Sequence, residues 1–209
     1  MSQQAERSVK QTVDIVSQHE LEQVAEKALA HARKQGMDQA QVDISNSLGR
    51  SVAVRKQELE SVEIHNDRSL VVSVFTNQQT GSASSADFSD VGIEQTVSAA
   101  VAIAKQTAKD DCFGLADAEL MANEQPDLQI FHTWDVSMQE MTAIAQDCEK
   151  AALTVDDRIS NTEGATLNSH IGASVYANTH GFVGYQRGSR HSLSCSVIAE
   201  QEGDMQRDY

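Results

Sequence analysis

Proline is almost missing from this 209-residue chain, with Pro126 the only one. Long regular elements are therefore expected nearly everywhere, because so little locks φ or removes a backbone donor. Cysteine is scarce as well. Cys112, Cys148 and Cys195 are odd in number and far apart, which excludes a disulfide framework and a CxxC zinc pattern. A reducing, cytoplasmic compartment is the expectation from that usage. No apolar run approaches the ~20 residues that cross a bilayer, and residues 1–10 are polar without the apolar core of a secretory signal. Cations are outnumbered, 16 Lys and Arg against 31 Asp and Glu, for a net charge of −15. That excludes nucleic acid as the main ligand, since phosphate binding needs a clustered excess of Lys and Arg. What is present, 40% hydrophobic and 22% charged residues, is the composition of a globular protein able to bury a core in one large or two small domains.

Three helices announce themselves by their first turns. Ser17-Gln18-His19-Glu20 is a capping box, stapled by Val16 and Leu21, and Leu21, Val24, Ala25, Ala28, Leu29 and Ala32 follow on one face. Gly36 is placed to close that helix in a left-handed conformation. A second helix starts near Ser89, stapled by Phe88 and Ile93, with Val97, Val101 and Ala104 continuing its buried face. A third opens with the box Ser137-Met138-Gln139-Glu140 and carries Met141, Ile144, Ala145, Cys148, Ala152 and Val155 as its stripe.

Between the first two helices the period changes to two. Val42/Ile44, Val52/Val54, Val62/Ile64 and Val72/Val74 are apolar pairs separated by the turn-prone Asn46, Gly49, Asn66, Asp67 and Asn77. An antiparallel meander is the economical reading, because such links are too short for crossover helices. After Asp157 strand alternation returns, most clearly in Leu193, Cys195, Val197 and Ala199 against Ser192, Ser194 and Ser196. The fold class is α+β: helices packed on antiparallel meanders in two subdomains. Residues 1–110 form the first (helix, meander, helix) and 111–134 a linker. Residues 135–209 form the second (helix, meander), expected to stop within a longer protein because a charged stretch follows the last strand.

Chemistry is sparse. His19-Glu20 opens like a zinc helix, but the positions for a second histidine hold Gln23 and Val24. His170, His180 and His191 recur at strand-plus-turn intervals and are the one set of imidazoles that a meander brings together on a metal. The plainer reading, strand-end or turn histidines bonded locally, is preferred, since spacing fixes neither register nor facing. Cys148 and Cys195 fall in apolar registers and read as small hydrophobes. Cys112, beside Asp110 and Asp111, has a setting opposite to the one a reactive thiolate needs. No glycine stretch has phosphate-loop spacing: Thr80–Ser85 lacks the P-loop pattern, and no helix follows Gly181 and Gly184. Arg187, Arg190 and His191 are the one local cationic cluster, suited to a carboxylate of a peptide or of another subunit. The competing reading is a solvated strand face balanced by Glu200, Glu202 and Asp204.

Several segments together carry a likeness: TGSASSADFS (80–89), PDLQIFH (126–132), RISNTEGATLNSH (158–170), VYANTHGF (175–182) and HSLSCSVIAEQEGDMQRDY (191–209). They resemble the amino-terminal half of the PmbA/TldE subunits in the TldD/PmbA metallopeptidase family, once described as modulators of DNA gyrase. The resemblance implies a bacterial hetero-oligomer in which a TldD-like subunit supplies an HExxxH zinc site and cleaves peptides and small unfolded proteins. It places the zinc ligands beyond the matched region, so no catalytic residue and no cofactor is assigned to this chain. A scaffold that encloses substrate is the leading function. A non-proteolytic adaptor, or a small metalloenzyme using the three histidines, are the alternatives.

Overall fold

The computed structural model describes residues 15–122 and 124–209, so the polar start at 1–10 lies outside the described residues. The element order is α1 (Gln18–Lys34), β1 (Gln39–Arg55), β2 (Glu58–Thr76), β3 (Gln79–Ser85), α2 (Asp90–Ala104), α3 (Met138–Leu153), β4 (Ile159–Asn178), β5 (Val183–Gln201) and β6 (Asp204–Asp208), with a 3-10 turn at Ala118–Leu120. The class is α+β as expected.

All three helices begin where their serines place them. Ser17 and Ser137 each accept the backbone N–H of the glutamate three residues on, and each glutamate side chain accepts the serine N–H in return. Ser89 accepts the Gly92 N–H at 3.1 Å. At the far end of α1, Gly36 takes φ +78° while its N–H reaches Arg33 and that of Met37 reaches Ala32. That bond pair is the Schellman closure and satisfies two terminal carbonyls. Helix α3 stops at Leu153, and Val155, expected in its stripe, is exposed beyond it.

The strands join one antiparallel sheet in the order β3-β2-β1-β4-β5-β6. Its central pair, β1 with β4, runs from Gln41 opposite Asn178 to Val54 opposite Ala165. The meander has fewer and longer strands than the sequence suggests. Asn46, Gly49, Asn66 and Asp67, expected in turns, lie in mid-strand, with Asn46 opposite Arg68 and Gly49 opposite His65. The chain reverses at Asn77-Gln78, with Asn77 in a turn as expected, and at Lys56-Gln57, each pair with positive φ. Two consecutive left-handed residues make the turn whose twist matches a two-residue hairpin.

The helices cover one face of this sheet in two places. Helices α1 and α2 lie over Val42 and Ile44 of β1, Leu70, Val72 and Val74 of β2, and Ala173, Val175 and Ala177 of β4. Helix α3 lies over Val52, Val54, Ala165 and Leu167 at the other end. Burying each large aliphatic side chain stabilises the fold by roughly 2 kcal/mol. Gly81 lets α2 approach β3, since a Cβ there would run into the backbone of Ala100 and Ala104.

Candidate functional site

Between the two apolar clusters the covered face of the sheet carries Asn46 and Arg50 on either side of Leu48, which is opposite Ile171, and the polar side chains there hold the segments that lead into the helices. Asn46 is 1% exposed. Its Oδ1 accepts the Val16 N–H (2.7 Å), just before α1, and its Nδ2 donates to Asn66 Oδ1 and to the Asp67 carbonyl, both at 2.9 Å. Arg50 donates to the carbonyls of Val136 (2.7 Å) and Trp134 (3.1 Å), just before α3. His191 contacts Ser169 Oγ through Nδ1 (3.0 Å) and the His132 carbonyl through Nε2 (3.0 Å), with Trp134 edge-on at 5.4 Å.

Strand alternation therefore splits the cationic cluster read from the sequence. Arg187 and His191 share the helix-covered face, where the Arg187 guanidinium lies 4.5 Å from the centre of the Phe131 ring. Arg190 points to the opposite, open face, in register with His170. Glu200, Glu202 and Asp204, the acids expected to balance the cluster, lie nine or more residues along the chain. That is roughly 30 Å at strand rise.

The three histidines are dispersed as well. His170 is on the open face and His191 on the covered one, both in mid-strand, so the expectation of strand-end positions fails for them. His180 sits in the β4–β5 turn, where its Nε2 meets the Ala116 carbonyl at 3.1 Å. Among the described residues no group of three His, Cys, Asp or Glu side chains is placed to hold a metal ion. His19 meets Gln23 through Nε2, and Glu20 is committed to its capping box. The side chains of the described residues do not fit a zinc centre.

The segment 125–132 crosses the outer edge of β5 as a strap. Gln125 donates to the Val183 carbonyl and accepts from Tyr185 N–H, and Ser189 N–H donates to the Ile130 carbonyl. With Tyr176, Tyr185, Gln186 and Arg187 it lines an open groove of about 760 Å³. On the open face of the sheet a second, shallower trough of about 440 Å³ lies over Ser47, Gly172 and Gly188, flanked by His170, Arg190, Ser174 and Gln186.

One structural carboxylate escaped the sequence reading. Glu149, on the sheet-facing side of α3, is completely buried. It accepts the N–H of Lys56 (2.8 Å), the N–H of Gln57 (2.6 Å) and the Gln57 side-chain amide (2.9 Å), so it fastens the β1–β2 turn to α3. Burial alone would raise its pKa, but the bonds from Gln57 and Lys56 outweigh burial and hold it below the ordinary glutamate value. Only its position beside Cys148 in the apolar stripe hinted at this. Cys148 and Cys195 pack against the same cluster, and burial, then the Cys148 thiol, pushes Cys195 up.

Comparison with known proteins decides the family. Residues 40–104 match the PmbA/TldA metallopeptidase domain 1, and residues 131–209 match the PmbA/TldA metallopeptidase central domain. The chain belongs to the PmbA/TldD metallopeptidase family. It is 45% identical over 192 residues to the metalloprotease PmbA homolog of Haemophilus influenzae, covering 92% of this chain and 42% of that one. With the metalloprotease PmbA of Escherichia coli O157:H7 the identity is 47% over 172 residues, covering 82% and 38%. The chain thus spans about two fifths of the length of these curated relatives. Its fold resembles that of a Bacteroides thetaiotaomicron protein described as a candidate modulator of DNA gyrase. The TM-score is 0.81 at 20% identity, over 89% of this chain and 43% of that one. It also resembles TldE from Thermococcus kodakarensis, with TM-score 0.64 at 13% identity, over 87% and 40%. Within the family, the match falls on the amino-terminal half, as the sequence motifs imply.

Proposed function

We propose that this chain is the amino-terminal segment of a PmbA/TldE-like subunit in a metallopeptidase complex, and that it encloses and positions extended substrate while a TldD-like partner supplies the zinc and the hydrolysis. The observation that carries this reading is the shape of the sheet. One face is covered by helices, the other is open and lined by small polar residues, and the outer edge of β2 from 58 to 68 has no strand partner among the described residues. An unpaired edge binds an extended backbone with little sequence preference, which suits peptides and small unfolded proteins. The division at 111–134 fits two family units joined by the strap, and the three free cysteines fit a reducing cytoplasm.

An adaptor without a part in proteolysis is favoured by a different feature. Leu59, Val62 and Ile64 are 51%, 45% and 59% exposed and continue the apolar layer past α3, as a protein-docking row would. One experiment separates the two. Full-length protein mixed with a TldD-type subunit should cleave peptides that neither cleaves alone. Stable association without any gain in cleavage would leave the adaptor.

A further inference from the structure

We propose that the trough on the open face of the sheet is a subsite for the carboxylate of a bound peptide, with Arg190 and His170 as the hydrogen-bond donors of its wall. This rests on the peptide-handling reading above. In a chain of net charge −15, the ion pairs Lys27 with Asp90, Arg158 with Asp156 and Arg207 with Glu163 lie away from this trough. Arg190 and His170 stand side by side across β4 and β5, and among the described residues neither has a hydrogen-bond or ion-pair partner.

The floor beside them is built of residues without bulk. Gly49 lies opposite His170, Gly172 opposite Ser47, and Gly188 opposite Gly172. The His170 ring lies over that floor. A Cβ added at Gly49 would be 3.7 Å from ring Cδ2, and one added at Gly172 would be 3.6 Å from ring Cε1. The ring edge carrying Nε2 therefore borders the trough, and the guanidinium stands one strand further out. Acids face this side of the sheet from β2, where Asp67 is opposite Ser47 and Glu63 bonds His65 at 3.1 Å, and from β1, where Asp43 is opposite Tyr176. Charge thus changes sign across the face, from the acids of β1 and β2 to Arg190 on β5. A carboxylate is drawn to the basic side, where a guanidinium binds it with two parallel N–H bonds and an imidazole N–H adds a third.

The test uses this chain with its histidine rings followed by NMR. The probes are an N-acetylated alanine-glycine hexapeptide with a free carboxyl terminus, the same peptide amidated, and inorganic phosphate. The free acid should shift the His170 Cε1 resonance saturably, and amidation should weaken binding roughly 10-fold or more, as expected for lost charge-assisted bonds. Arg190→Gln should cost a similar factor. Gly172→Val should do the same by filling the trough, at a strand position where valine is favourable. Arg33→Gln, the same charge change on α1, should leave binding intact. Equal binding of acid and amide, equal loss in Arg33→Gln, or phosphate binding as tightly as the peptide acid would each overturn the proposal. Cleavage by the reconstituted pair is a separate readout, so an inactive complex with saturable acid-selective binding would count against the peptidase reading and not against the subsite.

Discussion

Replacing Glu149 by glutamine tests the least expected piece of the architecture. The variant keeps the shape of the side chain but turns one acceptor into an NH2 donor. One of the two turn N–H groups of Lys56 and Gln57 then faces a donor inside the protein. A hydrogen bond to a charged group contributes about 1.5–3 kcal/mol, and a buried donor left unsatisfied costs about 1–3 kcal/mol. The two overlap, because both count the same N–H, so a net loss of about 3 kcal/mol is expected. In a domain of this size that lowers Tm by roughly 6–12 °C. Urea melts followed by circular dichroism would read it directly. The pH dependence has a defined sign. Glu149 is held below its ordinary value in the fold, so its contribution is whole above the unfolded-state value near ~4.3 and is lost as pH falls through the folded value. The gap between wild type and Glu149→Gln should be widest at neutral pH and begin to narrow below about pH 4. A variant within about 0.5 kcal/mol of wild type at pH 7, or a gap that does not narrow in acid, would refute the role given to this carboxylate.

Gly81→Ala should destabilise by about 3 kcal/mol, because its Cβ forces α2 off β3; an unchanged urea midpoint would deny the close approach. The chain alone should hydrolyse no peptide, and a chelator should leave its Tm unchanged. Stoichiometric zinc after passage through metal-free buffer, or a chelator-induced drop, would reverse that expectation, since a metal bound only to the native state adds to stability. The apolar row at Val62 and Ile64 should drive self-association in sedimentation, and Val62→Lys with Ile64→Lys should abolish it. A wild type that stays monomeric at every concentration would sink this one.

Helices were legible because their signals are local. A serine and a staple pair fix each start within one turn, joined at Ser17 and Ser137 by a glutamate three residues on, and Ser17, Ser89 and Ser137 all act as read. Strand boundaries were not, because the turn-prone residues mislead. Asn46 looks like a loop residue and is instead a buried bridge to Val16 and Asn66. Lys56-Gln57 carries no turn signal at all, and the force that fixes it comes from Glu149, 92 residues away from Gln57 in sequence. The candidate site shared this limit. Arg187, Arg190 and His191 are adjacent in the chain, but which face each takes depends on register, and register separates Arg190 from the other two. The acids assigned to balance them were close in sequence and remote along the strand.

Strands from residues 1–110 and from 135–209 share one sheet, with β1 paired to β4. Both strands run unbroken past the two apolar clusters, which different helices cover. Val42 and Ile44 of β1 serve α1 and α2, Val52 and Val54 of the same strand serve α3, and Asn46 and Arg50 stand between them. A continuous apolar face there would let the helices slide along the sheet, since burial is non-directional. Buried polar groups do not allow that, because each displaced bond leaves an unsatisfied partner. Asn46 fixes where the chain enters α1, and Arg50 and His191 fix where it enters α3. These bonds set the spacing of the helices, the helices claim one face, and the other face is left open with Arg190 and His170 on it.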